Sequence, residues 1–178
     1  SLSQALQRRG HRIVIASGGG SLDAQAGTLG IPHWTAPLHT SAEFSPQVFR
    51  AIRQLVPRLR QEPVDLIHAH TRVGQVAAGC LSRALKIPYV TTWHGFFRRN
   101  LGRRLWPCTG VLTIAISEPV RRHLVDDFRV PEPRVRLIVN GVDAARFAEP
   151  QPPDALQAFR DRWRLAAGEP VIGAVGRL

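Results

Sequence analysis

Histidine side chains stand where two apolar, β-branched runs of the chain end. His68 and His70 lie two residues apart at the end of the run 64–69, and His94 follows the run 88–93. Alternate residues of a strand point to one face, so His68 and His70 share a side of the predicted strand. Two imidazoles can begin a metal site, but no third ligand lies nearby in sequence. We interpret His68 as a structural histidine. We expect His70 and His94 to face a ligand, because ligands of open α/β sheets bind at the carboxyl ends of the strands.

Glycines also follow two of the predicted strands. Gly95 comes directly after His94 and lets a backbone approach a ligand closely. Residues 18–20 are three consecutive glycines, but Asp23 stands where the third glycine of G-x-G-x-x-G would fall, and no Walker lysine follows. We predict a plain flexible loop there, which argues against a nicotinamide dehydrogenase.

A basic and aromatic stretch extends from Phe96 to Trp106. Its arginines are Arg98, Arg99, Arg103 and Arg104. Arginines that alternate with bulky apolar residues over a helical stretch are typical of a membrane-surface element, so these four form a candidate membrane or anion patch. The alternative is an ordinary helix that buries its aromatic residues and exposes its arginines, and the sequence leaves both open. Single-stranded nucleic acid also suits such residues, but no recognisable DNA or RNA module accompanies them.

Predicted strands and helices alternate along the chain that carries these residues. Apolar, β-branched runs at 12–16, 32–37, 64–69, 88–93, 111–116 and 136–139 are separated by segments with helical spacing. This alternation predicts an α/β fold, a Rossmann-like parallel sheet with helices on both faces. We expect an N-terminal domain over 1–148, a linker with a helix over 149–170, and the first strand of a second domain over 171–178, with that strand at 171–175. Ser45-Pro46 and Ser117 mark the starts of two helices, and Pro57 predicts a kink or an early stop in the first of them. A proline-rich connector at 149–153 precedes the linker helix, which Asp154 can cap.

Composition limits the class of protein. The chain has 178 residues, of which 44% are hydrophobic, and no run approaches the ~18 apolar residues of a membrane-spanning helix. Two cysteines cannot make a disulfide framework, and no secretory leader is present, so we expect a cytoplasmic protein. Its 24 basic and 13 acidic residues give a net charge of +11. That surplus favours an anionic partner, unless it reflects only a composition bias toward arginine.

Five short motifs occur in order along the chain. They are Arg9-Gly10-His11-Arg12, Asp65-Leu66-Ile67-His68-Ala69-His70, Ile87-Pro88-Tyr89-Val90-Thr91-Thr92-Trp93-His94-Gly95, Ile116-Ser117 and Asn140-Gly141-Val142-Asp143. Together they resemble the N-terminal half of retaining GT-B glycosyltransferases. The branch that they resemble includes phosphatidylinositol mannosyltransferases, lipopolysaccharide-core glycosyltransferases, and glycogen and sucrose synthases. The segment 175–178 resembles the opening of the second domain of those enzymes.

The resemblance implies a function and assigns residues to it. Such enzymes move a sugar from a nucleotide-sugar, such as a UDP- or GDP-sugar, to an acceptor, with retention and without a required metal or cofactor. His94 corresponds to the catalytic histidine that contacts the transferred sugar. Gly176 and Arg177 correspond to donor-binding residues. The acceptor side corresponds to His70, Thr71, Arg72 and Gly95.

We therefore expect a hexosyl-type transferase that builds a cell-envelope glycan, such as lipopolysaccharide, or a glycolipid. It would lie in the cytoplasm, with peripheral contact at the inner face of the membrane and no nucleic-acid partner. The family's glycine-rich loop and second-domain glutamates are missing from this chain, so the fragment alone should be inactive and should self-associate through unpaired strand edges. The alternatives are a sugar-nucleotide epimerase of the same fold and a non-catalytic module that docks on anionic lipid or nucleic acid.

Overall fold

The computed structural model describes residues 1–20, 23–98, 101–142, 144–166 and 170–173. The chain divides into two compact units, Ser1–Asn140 and Gly141–Leu178. Three predicted site residues, Arg99, Gly176 and Arg177, lie outside the described residues, and so does the side chain of Arg104. The first unit contains the remaining candidates.

Parallel strands form the centre of the first unit. The strands of its described residues are β1 (Ile15–Ser17), β2 (His33–Thr35), β3 (Ile67–Ala69), β4 (Tyr89–Trp93), β5 (Leu112–Ala115) and β6 (Val135–Leu137). Its helices are α1 (Leu2–Arg8), α2 (Asp23–Thr28), α3 (Pro46–Gln61), α4 (Arg72–Leu85), α5 (Leu101–Leu105) and α6 (Glu118–Arg122). β1 pairs with β2, and β3 to β6 form a second sheet in sequence order, every pairing being parallel. This architecture confirms the predicted α/β class.

The strands are shorter than the apolar runs that predicted them. β1 begins at Ile15 rather than at residue 12, and β3 begins at Ile67 rather than at residue 64. The neighbouring residues Val14 and Val64 nevertheless pack against the core. An apolar run shows which residues are buried, whereas a strand also needs a neighbouring strand to hydrogen-bond its backbone groups. The buried segments are therefore longer than the hydrogen-bonded strands.

Short-range signals account for the ends of the long helices. Ser45 precedes α3 and Pro46 occupies its first position, where the missing N–H of proline costs nothing. The helix runs on through Pro57 to Gln61, so this proline does not stop it early as the sequence led us to expect. Thr71 caps α4 by accepting a hydrogen bond from the backbone N–H of Gly74 at 3.1 Å.

The basic and aromatic stretch is helical over only part of its length. Among its described residues, Leu101–Leu105 form a helix, α5, whereas residues 94–98 adopt no helix or strand. Beyond it, α6 is capped by Ser117 as predicted and continues into a π-helical turn at His123–Asp127.

Two apolar clusters support the edge of the sheet where the histidines lie. On one side, Trp93 is buried against Leu124 and Phe128, which follow α6. On another, Val48 of α3 packs with Val73 and Val76 of α4. The ends of β3 and β4 are therefore held by packed helices.

β1 and β3 are edge strands. Among the described residues, β1 pairs only with β2, and β3 pairs only with β4, so each has one edge outside any ladder. The segments that precede these two strands are joined by one hydrogen bond, which the Arg12 side chain donates to the Pro63 backbone carbonyl at 2.9 Å.

The second unit contains α7 (Ala144–Ala148) and α8 (Pro153–Arg162). The predicted helix after the proline-rich connector is confirmed, although it begins at Pro153 rather than after an Asp154 cap. The predicted strand at 171–175 is not formed over its described residues 171–173. Ile172 is fully exposed there.

Candidate functional site

Three histidines lie together at the carboxyl ends of β3 and β4. The two strands pair in parallel with Ala69 opposite Thr91, so the residues that follow them leave the sheet at one edge. The ring centroids of His68 and His70 are 4.2 Å apart, and those of His70 and His94 are 5.5 Å apart. The structure thus brings His70 and His94 into one site.

A hydrogen bond joins the two outer rings of this group. Nδ1 of His70 lies 3.2 Å from Nε2 of His94. Such a bond needs one N–H and one bare nitrogen, so the pair cannot carry a full positive charge on both rings in this geometry. Within the described part of the chain, Nδ1 of His94 has no hydrogen-bond partner, and the residue is exposed. His70 therefore holds one nitrogen of His94 while the other remains open to a ligand.

His68 lies beneath this pair and is uncharged at neutral pH. Its Nε2 lies 2.8 Å from Oγ1 of Thr92. Burial, followed by the proximity of His70 and His94, lowers the pKa of His68 to about 4. Burial, followed by the proximity of His94, also lowers the pKa of His70. His68 acts as a structural residue, in agreement with the sequence interpretation.

Gly95 leaves open space beside the histidines. A Cβ placed there would meet no atom of the described protein within 4 Å. Thr71, directly after His70, is exposed although its hydroxyl caps α4. Both positions leave room for a ligand beside the histidines, and their acceptor-binding role stays a prediction.

Arg72 is placed differently from the sequence prediction. It begins α4 and is buried, whereas we expected it in a loop that lines the acceptor side. Its Nε bonds Glu43, while Nη1 and Nη2 donate to the carbonyls of Pro107 and Trp106 at 2.6 and 3.0 Å. Each of its three guanidinium nitrogens thus has a protein partner, and Arg72 holds the start of α4 from within.

The Glu43 carboxylate pairs with two of the arginines that were predicted as site residues, Arg72 and Arg103, and no sequence pattern indicated this role for Glu43. Its other oxygen lies 2.6 Å from Nε of Arg103. Burial alone would raise the pKa of Glu43, but hydrogen bonds and positive charge from Arg72 and Arg103 outweigh it and lower that pKa. One signal was available: Glu43 is the only acid between Asp23 and Glu62.

The predicted membrane or anion patch is divided by this ion pairing. Arg98 is exposed. The guanidinium of Arg103 is instead directed inward to Glu43, bonds the Arg98 carbonyl at 3.1 Å, and lies 5.7 Å from the ring centre of Phe97. Arg103 is thus half-buried and ion-paired, whereas Arg98 is exposed.

His123 holds the segment after Gly95, although no sequence motif indicated this role. Its Nδ1 lies 2.6 Å from Oδ2 of Asp127, so Nδ1 carries the proton that the carboxylate accepts. The bare Nε2 is then free to accept the backbone N–H of Phe97 at 3.2 Å. The Phe97 ring also meets Trp93 edge-on, with centroids 4.7 Å apart. These contacts fix the backbone directly downstream of His94.

The described residues contain neither a candidate metal site nor a candidate membrane span. No three histidine, cysteine or acidic side chains there are arranged to hold a metal ion. None of the helices in this part of the chain has the length and apolar character needed to cross a bilayer.

Comparison with sequence families decides the relationship. The family described as Glycosyltransferase Family 4 matches residues 1–146. The chain belongs to that family. Among curated protein sequences, none matches this chain significantly.

Solved structures share the fold of this Glycosyltransferase Family 4 chain. A glycosyltransferase from Rickettsia africae ESF-5 superposes with a TM-score of 0.79 at 19% identity, covering 95% of this chain and 45% of that one. Anabaena HepE in complex with UDP-glucose gives a TM-score of 0.71 at 17% identity, covering 93% of this chain and 46% of that one. The chain thus spans about half the length of these proteins. At these identities the likeness shows one half of a GT-B fold.

A further neighbour has a different activity. UDP-N-acetylglucosamine 2-epimerase from Rickettsia bellii gives a TM-score of 0.52 at 14% identity, covering 88% of this chain and 52% of that one. The fold alone therefore does not separate sugar transfer from epimerisation.

Proposed function

We propose that this chain is the acceptor-side half of a retaining, hexosyl-type glycosyltransferase that acts on a cell-envelope glycan or glycolipid. The observation that carries the proposal is the His70–His94 contact at the carboxyl edge of the sheet, in a chain of Glycosyltransferase Family 4. The neighbour HepE was crystallised with UDP-glucose, with UDP and glucose, and with UDP, which supports a nucleotide-sugar donor here.

His94 is the catalytic residue in this proposal. Its open Nδ1 hydrogen-bonds a hydroxyl of the transferred sugar, and His70 fixes the ring by the bond to Nε2. Because the paired rings cannot both be cationic, the site offers a neutral or singly charged imidazole pair to the sugar. The pair orients the sugar without adding two positive charges to it.

Acceptor and donor meet different residues. His70, Thr71 and Gly95 line the acceptor side, and Arg72 supports it through Glu43 and the carbonyls near α5. Gly176 and Arg177 bind the donor diphosphate, for which a planar guanidinium is well suited. Chemistry proceeds without a metal or cofactor, in the cytoplasm and at the inner face of the membrane.

The test uses a longer protein that contains this chain together with a donor-binding half. It is incubated with UDP- and GDP-sugars and with cell-envelope glycan or glycolipid fractions, and transfer of labelled sugar is followed. Acceptor-dependent release of the nucleotide, with retained anomeric configuration in the product, supports the proposal. The 178-residue chain alone is expected to be inactive. Transfer with inversion would contradict the retaining mechanism.

A sugar-nucleotide epimerase is the second candidate, because one structural neighbour is such an enzyme. An epimerase needs a nucleotide-sugar and no acceptor. Conversion of the donor to its epimer without any acceptor, followed by proton NMR of the anomeric region, would favour this candidate over transfer.

A further inference from the structure

Aromatic and basic side chains line a groove beside α3 on the first unit. The groove has a volume of about 620 Å³ and is lined by Phe44, Pro46, Phe49, Arg50, Arg53 and Gln54. Phe44 and Phe49 are 48% and 50% exposed. Large apolar side chains exposed next to each other mark a surface that meets something other than water.

The end of α5 extends this groove. The rings of Phe44 and Trp106 are stacked with their centroids 6.0 Å apart. Trp106 is itself partly exposed, and Leu105 beside it is 77% exposed. The stacking joins residues that lie about sixty positions apart into one face. We call it the α3–α5 surface, made of Phe44, Phe49, Arg50, Arg53, Leu105 and Trp106.

The charge of this surface is uniformly positive. Residues 44–61 contain no acid, and the acids at their two borders are already paired. Glu43 is bound by Arg72 and Arg103, and Glu62 lies 3.6 Å from Arg12. Arg50 and Arg53 make no ion pair within the described residues and are exposed. Their charge is therefore available to an external anion.

We propose that the α3–α5 surface docks the protein on an anionic lipid bilayer. Aromatic rings and Leu105 enter the boundary between headgroups and acyl chains, while Arg50 and Arg53 pair with lipid phosphates. Leu105, the most exposed apolar residue of the surface, offers burial but no ring on which a base can stack. Phe44 and Trp106 already stack on each other. These two features favour a lipid surface over single-stranded nucleic acid.

The docking does not rest on the proposed function, although it bears on it. Glu43 precedes Phe44 and bonds Arg72, which stands two residues after His70. If sugar transfer occurs at His94, docking by this surface brings a lipid-linked acceptor to the neighbouring site. Vesicle binding is measured without sugar transfer, so failure of one hypothesis is distinguishable from failure of the other.

The first experiment uses the 178-residue chain and sedimentation with sucrose-loaded vesicles. Phosphatidylcholine vesicles are compared with vesicles that also contain about 30% phosphatidylglycerol, a strongly anionic surface. We expect binding to the anionic vesicles only, with salt weakening it. Tryptophan emission should shift to the blue on binding, and Trp106→Phe should lose most of that shift. Equal binding to neutral vesicles overturns the proposal.

Charge-matched variants locate the surface. Arg50→Glu with Arg53→Glu should weaken binding to the anionic vesicles by about tenfold or more. Arg8→Glu with Arg83→Glu changes the net charge equally at exposed positions elsewhere, and should weaken it much less. Equal losses in both pairs would mean that only net charge acts, and would overturn the assignment.

A matched pair of phenylalanine variants completes the test. Phe49→Ser should reduce binding severalfold, whereas Phe159→Ser, equally exposed but on α8, should not. Circular dichroism checks that each variant remains folded. Two other results would overturn the proposal. One is that the chain binds a single-stranded oligonucleotide more tightly than anionic vesicles, and that Arg50→Glu with Arg53→Glu abolishes this binding. The other is that light scattering shows a dimer, which Phe49→Ser dissociates.

Discussion

At the scale of single residues, the site is organised by which ring nitrogens are engaged. Thr92 engages His68, and His70 engages Nε2 of His94, which leaves Nδ1 of His94 open. A neutral His68 thus lies beneath two exposed imidazoles, of which His94 keeps one nitrogen open. This arrangement orients His94 without placing a fixed positive charge next to it.

Replacement of His94 should affect turnover and not folding. His94→Ala, in a longer protein with the donor-binding half, should lower kcat by roughly two to four orders of magnitude, the contribution of a lost acid–base or charge-stabilising group. The residue is exposed, so the free energy of unfolding should barely change. His11→Ala, another exposed histidine, serves as the control. Turnover at the wild-type level would remove His94 from the catalytic role.

His68 should make stability depend on pH. Its pKa falls from the ordinary 6.5 to about 4 in the folded protein because the side chain is buried. As pH falls below 6.5 the unfolded chain binds a proton that the folded chain does not, so the free energy of unfolding decreases down to about pH 4 and then stops decreasing from this source. Urea unfolding at a series of pH values measures this.

The matched variant is His68→Gln, which keeps a group able to bond Thr92 but does not titrate. Its stability should decline less steeply between pH 6.5 and 4 than that of the wild type. The lowered pKa of His70 acts in the same direction and remains in both proteins. Identical slopes would show that His68 is not held neutral by the fold.

At the scale of elements, Glu43 ties α4 to the segment around α5. It receives Arg72 from the start of α4 and Arg103 from within α5. Because the side chains of Glu43 and Arg72 are only 13% and 8% exposed, water cannot replace either partner readily. The ion pair therefore holds α5 beside the start of α4.

Glu43→Gln should destabilise the protein strongly. It leaves Arg72 buried without a counter-charge, which typically costs about 3–5 kcal/mol. Arg103→Gln leaves the inner pair intact and should cost less. Since the folded-state pKa of Glu43 lies below 4.5, its contribution is present above that pH and disappears as pH falls through the folded pKa. Chemical denaturation at neutral and acidic pH tests both statements, and equal effects of the two substitutions would contradict them.

Substitution by alanine should lower the stability of the fold at one glycine and leave it unchanged at another. At Gly110 φ is +70°, and a Cβ would lie 2.2 Å from the Tyr89 carbonyl oxygen, a backbone atom. Gly110→Ala should therefore cost more than the about 1–2 kcal/mol of left-handed strain alone. Gly95→Ala meets no protein atom and should leave the melting temperature unchanged, while weakening acceptor binding in the longer protein. A large loss of stability in Gly95→Ala would contradict an open site there.

At the scale of the whole molecule, the arrangement of the strands predicts self-association. β1 and β3 each have an edge that pairs with no strand of the described residues. Unpaired backbone groups at such edges invite another strand. We expect light scattering to show mass rising with concentration for the 178-residue chain. A monomer at high concentration would contradict this expectation.

Local patterns were sufficient to predict much of this fold. Proline at the first position of α3 and the Ser117 cap of α6 act within one helical turn, so their effect is visible in adjacent residues. The buried parallel strands also appear in the sequence as local apolar runs, although the hydrogen-bonded strands are shorter than those runs. The sequence also predicted that His70 and His94 end two strands, whereas the structure showed that these strands pair and that the two rings meet.

Pairing of charges was decided by the tertiary structure. Glu43 lies 29 residues from Arg72 and 60 from Arg103, and no local pattern records that they meet. The sequence alone placed both arginines on binding surfaces, because an arginine in an isolated segment has no visible partner. Which guanidinium is buried depends on how helices and strands distant in sequence pack together. The sequence determined where the strands end and which imidazoles stand there; the tertiary structure decided which charges remain exposed.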